Sequence, residues 1–136
     1  MQSSSIKNTI GGNDDEIVVG GQINKQEIHD FINDYFKGNV ELAIKNDLDA
    51  VNLIKMGKYD YYVGACNTGG GGALAMAIAL LGKDKCQTIS MPGKISSDNE
   101  IQAAVASGKI AFGFTAQHAT QVLPVLLKAL AEKEEA

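Results

Sequence analysis

The sequence predicts an α/β domain, a three-layer arrangement in which helices cover both faces of a five-stranded parallel sheet, in the Rossmann-like or flavodoxin-like order 2-1-3-4-5. Three observations lead there. Short apolar runs rich in Val, Ile, Tyr and Phe alternate five times with stretches of helical spacing. Glycine or a polar pair stands where each of the first four strands gives way to a helix. The chain has 136 residues, 45% of them hydrophobic, which suits one core and is too little for two ordinary domains.

Residues 1–15 are polar, with little periodicity, and are read as a flexible tail ahead of a single domain at 16–136. The first strand is expected at 16–20. A helix follows from Asn24, where Asn24 and Glu27 have the spacing of an N-cap pair, and Ile28, Phe31, Ile32 and Tyr35 share one side of it. Gly38 closes it. A second strand at 40–45 leads through Asn46-Asp47 into a helix stopped by Gly57, with Asp47 as its expected N-cap. The third strand, 59–65, runs into a glycine-rich turn and then a helix at 73–81 that is apolar on almost every side. The fourth strand is placed at 86–90. After Met91-Pro92-Gly93 a helix starts with Ser97 and Glu100 at capping-box spacing and ends at Gly108. The fifth strand is 109–114, and the last helix, 116–133, carries Pro124 as a bend or restart.

Composition narrows the function. The formal net charge is −4 and no basic stripe is present, so the electrostatic attraction that dominates nucleic-acid binding is missing, and no nucleic-acid partner is expected. All twelve basic residues are lysines. An anion must then be held by backbone N–H groups, hydroxyls or Lys, without the planar fork of arginine. Two cysteines without CxxC spacing fit neither a disulfide framework nor a zinc site, so no metal is expected. No cofactor motif is complete either: Gly-Lys-Ser/Thr does not follow the glycines, and Gly20-Gly21-Gln22 stops short of G-x-G-x-x-G. The apolar stretch at 73–81 is too short to span a membrane, and a cytoplasmic location is expected.

The strongest functional signal is the run Cys66, Asn67, Thr68, Gly69, Gly70, Gly71, Gly72. Consecutive glycines between a strand and a helix let the backbone approach a ligand closely, and the helix N-terminus offers unpaired N–H groups to an anion. In the expected order the topological switch lies between strands 1 and 3, so Gly21 and Gln22 should face this turn across a ligand crevice. Cys66, at a strand end before a helix dipole, is a candidate base or nucleophile. Thr115 and His118 reach the same edge from the fifth strand, Thr115 as a ligand contact and His118 as a catalytic candidate beside Cys66. Packing alone could also explain the glycines, a buried inert thiol Cys66, and helix-start placement His118.

The segment from Asp60 to Gly82, with KIAFGFTAQHA further on, resembles a family of small uncharacterised bacterial proteins of the YhfU type. That resemblance implies a bacterial protein of this fold and no particular reaction. Cys66 to Gly71 is also similar to the C-G-T-G-x-G turn of B-type ribose phosphate and galactose phosphate isomerases. This second likeness implies Cys66 as a general base, with Thr68 and Gly69 to Gly71 around an oxyanion, but the arginines that grip phosphate in that family have no counterpart here. The expectation is a protein that binds a small phosphorylated or carboxylated metabolite, with isomerase-like turnover or a purely accessory role as alternatives. A homodimer or higher homo-oligomer is expected, because the helix at 73–81 has no polar side to give to solvent.

Overall fold

The computed structural model describes residues 15–67 and 70–135. The elements run β1 (Glu16–Gly21), α1 (Lys25–Tyr35), β2 (Glu41–Ile44), α2 (Asp47–Lys55), β3 (Tyr61–Cys66), α3 (Gly70–Leu81), β4 (Cys86–Thr88), β5 (Ser90–Met91), β6 (Lys94–Ile95), α4 (Asp98–Ala106), β7 (Ala111–Thr115) and α5 (Ala119–Glu135). Single 3-10 turns precede β4 and α5. Apart from Asp15, the expected tail lies outside the described residues.

The three layers and the parallel five-stranded sheet are as expected, but the last two main strands exchange places. The order is β2-β1-β3-β7-β4, with the fifth long strand inside and the fourth at the edge. The helices explain the exchange. Alternate residues of the central strands, Ile17, Val19, Val63, Phe112 and Phe114, turn toward α1, α4 and α5, while Val18, Tyr62 and Ala111 turn toward α2 and α3. A right-handed crossover ties the face a helix covers to the direction in which the chain moves along the sheet. Since α4 lies on the α1 face, the chain from β4 must step in the same direction as from β1 to β2, which places β7 between β3 and β4.

Local signals account for most helix ends. Ser97 and Glu100 form the expected capping box at α4, with Glu100 Oε1 accepting from Ser97 N at 2.8 Å and Ser97 Oγ from Glu100 N at 3.1 Å. These bonds hold the Glu100 carboxyl below its usual range. Asn24 makes no side-chain cap and instead takes a left-handed conformation, φ 58°, which Asn tolerates. At α2 the cap is Asn46, whose Oδ1 accepts from Asp49 N at 2.9 Å, leaving Asp47 for another role. The expected fourth strand stops at Thr88. Residues 90–95 fold back as a small antiparallel hairpin around Pro92-Gly93, with Gly93 at φ 79°, the sequence of a type II turn. Pro124 sits within one continuous helix.

Three glycines stand in register across the middle of the sheet: Gly20 of β1 beside Gly64 of β3, and Gly64 beside Gly113 of β7. They leave a trough on the α2–α3 face. The ring of Tyr62 lies in it, so that a Cβ on Gly20 would come within 2.5 Å of Tyr62 Cε2, and Leu74 of α3 fills the Gly113 end at 2.7 Å. The helix and the sheet approach closely because these side chains are missing.

Candidate functional site

At the carboxyl edge of the sheet the chain turns out of β1, β3 and β7. Where the crevice between β1 and β3 is expected, backbone N–H groups are engaged by the protein's own groups. Gly21 N donates to Asp47 Oδ1 at 2.5 Å, Gln22 N donates to Ala65 O at 2.9 Å, and Ile23 N lies 3.4 Å from the same oxygen. The amides of Gly21 and Gln22, two residues expected to face a ligand, are paired within the protein. The Gln22 side chain instead lies against α3, where a Cβ on Gly72 would be 2.8 Å from Gln22 Oε1. Gly70, Gly71 and Gly72 belong to the first turn of α3 and not to a loop before it. Asn67 is exposed, and Thr68 and Gly69 lie outside the described residues.

One strand further across, the arrangement differs. Cys66 and Thr115 are register partners on β3 and β7. By the strand alternation from Tyr62 and Ala111, both fall on the α3 face, one step beyond Gly64 and Gly113 toward the carboxyl edge. The helices after these two strands leave on opposite faces, α3 on one and α5 on the other, so the ends of β3 and β7 form a second topological switch point, the place where parallel sheets commonly bind ligands. Thr115 is 3% exposed, and among the described residues its Oγ1 has no hydrogen-bond partner. His118, in the 3-10 turn after β7, has a buried Nδ1 that likewise finds no partner among the described residues. A buried hydroxyl or ring nitrogen without a partner costs free energy, so two of them at one strand end need a reason. The Thr115 backbone is secured separately, its N donating to the buried Ser90 Oγ at 2.9 Å, which ties the hairpin to β7.

The sequence gives Asp47 a helix-capping role and does not join it to Tyr62, as the structure does. Tyr62 Oη lies 2.6 Å from Ala73 O and 2.8 Å from Asp47 Oδ1, so one phenolic proton stands between two acceptors. Burial first, then the Asp47 carboxylate, push this phenol far above its ordinary range, and it remains a donor at any ordinary pH. The available signal was the glycine two residues after Tyr62, which leaves room for a ring to lie along the strand. Tyr61 points to the other face against Phe112, ring centroids 6.5 Å apart. Cys86 is buried, its thiol pushed up by burial and its Sγ 3.5 Å from Gly82 O, in keeping with a core role. Among the described residues no cluster of three His, Cys, Asp or Glu could hold a metal ion, and no helix is long and apolar enough to cross a membrane.

The family described as Protein of unknown function DUF2620 matches residues 15–130, and the chain belongs to it. Relatives include the uncharacterized protein YhfU of Escherichia coli strain K12 and that of Shigella flexneri. Each is 40% identical over 108 residues, covering 79% of this chain and 92% of the relative. No solved structure matches.

Proposed function

We propose that this protein binds a small anionic metabolite, phosphorylated or carboxylated, in the crevice between the ends of β3 and β7, and that it does so in the cytoplasm. The observation that carries the reading is a pair of buried atoms without a partner among the described residues, Thr115 Oγ1 at the end of β7 and His118 Nδ1 in the turn that follows it. The helix supplies N–H groups and a positive dipole end, the hydroxyl and the imidazole supply directed hydrogen bonds, and no arginine is needed. Cys66 lines the site next to Thr115, and the reading assigns it no proton transfer. A thermal-shift panel of sugar phosphates, inorganic phosphate and carboxylates tests it. A ligand at about 100 times its Kd stabilises the fold by about 2.7 kcal/mol, and Thr115→Val should remove that shift while keeping the strand. A panel without any shift, or a shift unchanged in Thr115→Val, would count against the site.

The outer side of α3 supports a second part of the proposal, a homodimer. Ala75, Met76, Ile78 and Ala79 are exposed there, and no residue from 70 to 81 carries a charge. Exposed α1, by contrast, presents Glu27, Asp30 and Asp34. Light scattering at micromolar concentration should give a dimer mass, and Ile78→Lys should give the monomer; a wild-type monomer refutes the dimer.

A further inference from the structure

The start of α3 has an unusual weakness, since its first three residues are Gly70, Gly71 and Gly72, and glycine is the poorest helix former after proline. A first turn of glycines does not hold its own geometry. An anion site built on such a turn needs the turn fixed from outside, because a ligand that must first order the backbone binds more weakly. The structure shows what fixes it. Tyr62 Oη reaches Ala73 O at 2.6 Å from beneath, and the Tyr62 ring cannot shift because it is packed along Gly20 and Gly64. Asp47 Oδ1 holds the same phenol at 2.8 Å and also holds Gly21 N, which joins the β1–α1 turn to the α3 start through one carboxylate oxygen.

We infer that Tyr62 and Asp47 are positioning residues, which fix the first turn of α3 and thereby set the affinity of the carboxyl-edge anion site. The inference rests on the anion-binding reading for its second half only. Neither residue touches the ligand. Tyr62 acts through the Ala73 carbonyl, and Asp47 acts through Tyr62 and Gly21.

The test uses the full chain, inorganic phosphate as the probe, and hydrogen exchange read residue by residue. In Tyr62→Phe the ring still fills the trough, but the tie to Ala73 is gone. Amides of residues 71–74 should exchange about tenfold faster, and phosphate Kd should rise about tenfold, the factor that one hydrogen bond carries. Asp47→Ala should behave in the same way, whereas Asp47→Asn keeps a carbonyl oxygen for both donors and should restore near-native values. Ile101→Ala, buried in the cluster on the other face of the sheet, lowers Tm and should leave phosphate Kd unchanged, which separates positioning from general destabilisation. Unchanged exchange at residues 71–74 in Tyr62→Phe overturns the inference. So does faster exchange there with an unaltered phosphate Kd. If the wild-type chain binds no phosphate, the anion reading with that probe falls and the affinity half of the inference falls with it, while exchange alone still decides whether Tyr62 fixes the turn.

Discussion

Replacing Gly21 by Ala is expected to lower the stability of the domain by about 3 kcal/mol or more, seen as a fall of roughly 10 °C in Tm. Gly21 has φ 85°, a conformation that costs any residue with a Cβ. The added carbon would also lie 2.5 Å from Ala65 N and 2.7 Å from Ala65 O. Both atoms are backbone of the neighbouring strand and cannot swing aside as a side chain can. Gly57→Ala supplies the comparison, because Gly57 has φ 77° with nothing within 4 Å and carries the conformational cost alone, about 1 kcal/mol. Thermal melts of the two variants read the difference. If Gly21→Ala melted as high as Gly57→Ala, the close approach of β1 and β3 would be disproved.

Phe112→Ala is expected to cost about 3–5 kcal/mol, a large part of what a domain of this size has in total. Phe112 is fully buried in β7 and belongs to the cluster that includes Val63, Leu123 and Leu127. The size of the loss depends on the strand order. With β7 between β3 and β4, the phenyl ring is surrounded and its removal leaves a cavity. At the sheet edge, where the sequence places the fifth strand, neighbours could close in and the loss would be smaller. Native-state hydrogen exchange gives an independent reading, with amides of β7 expected to be protected more strongly than those of β4. Denaturant melts showing a loss below about 1.5 kcal/mol would argue for the edge position.

The alternation of strand and helix, the capping box at Ser97 and Glu100, and the helix stops at Gly38, Gly57 and Gly108 were legible because each depends on residues close in sequence. Strand order was not. It follows from the face on which α4 packs, and the apolar positions Ile101, Ala104 and Val105 suit either face. The hairpin at 90–95 had a local signal in Pro92-Gly93, which reads equally well as the loop ahead of a helix. For the candidate site, Cys66, Thr115 and His118 were identified by their position at strand ends, and the structure places Cys66 and Thr115 side by side. The pairing of the Gly21 amide was not legible, because nothing local shows that Asp47, a helix-start residue, folds back to accept from it. Tyr62 escaped for a related reason: its hydroxyl partners come from α2 and α3, and only the folded chain brings them together.

The trough formed by Gly20, Gly64 and Gly113 bears on the order of events in folding. Neighbouring strands ordinarily gain from side chains that touch across the ladder. On the α3 face of β1, β3 and β7 there are none at this level, so pairing these strands secures little until something lies across them. That cover is Tyr62, from within the sheet, and Leu74, from the helix that directly follows β3. Closing the centre of the sheet and seating α3 are therefore one step of the reaction. The barrier to it is dominated by contacts distant in sequence, and a kinetic analysis should find Leu74 and Gly113 consolidated together.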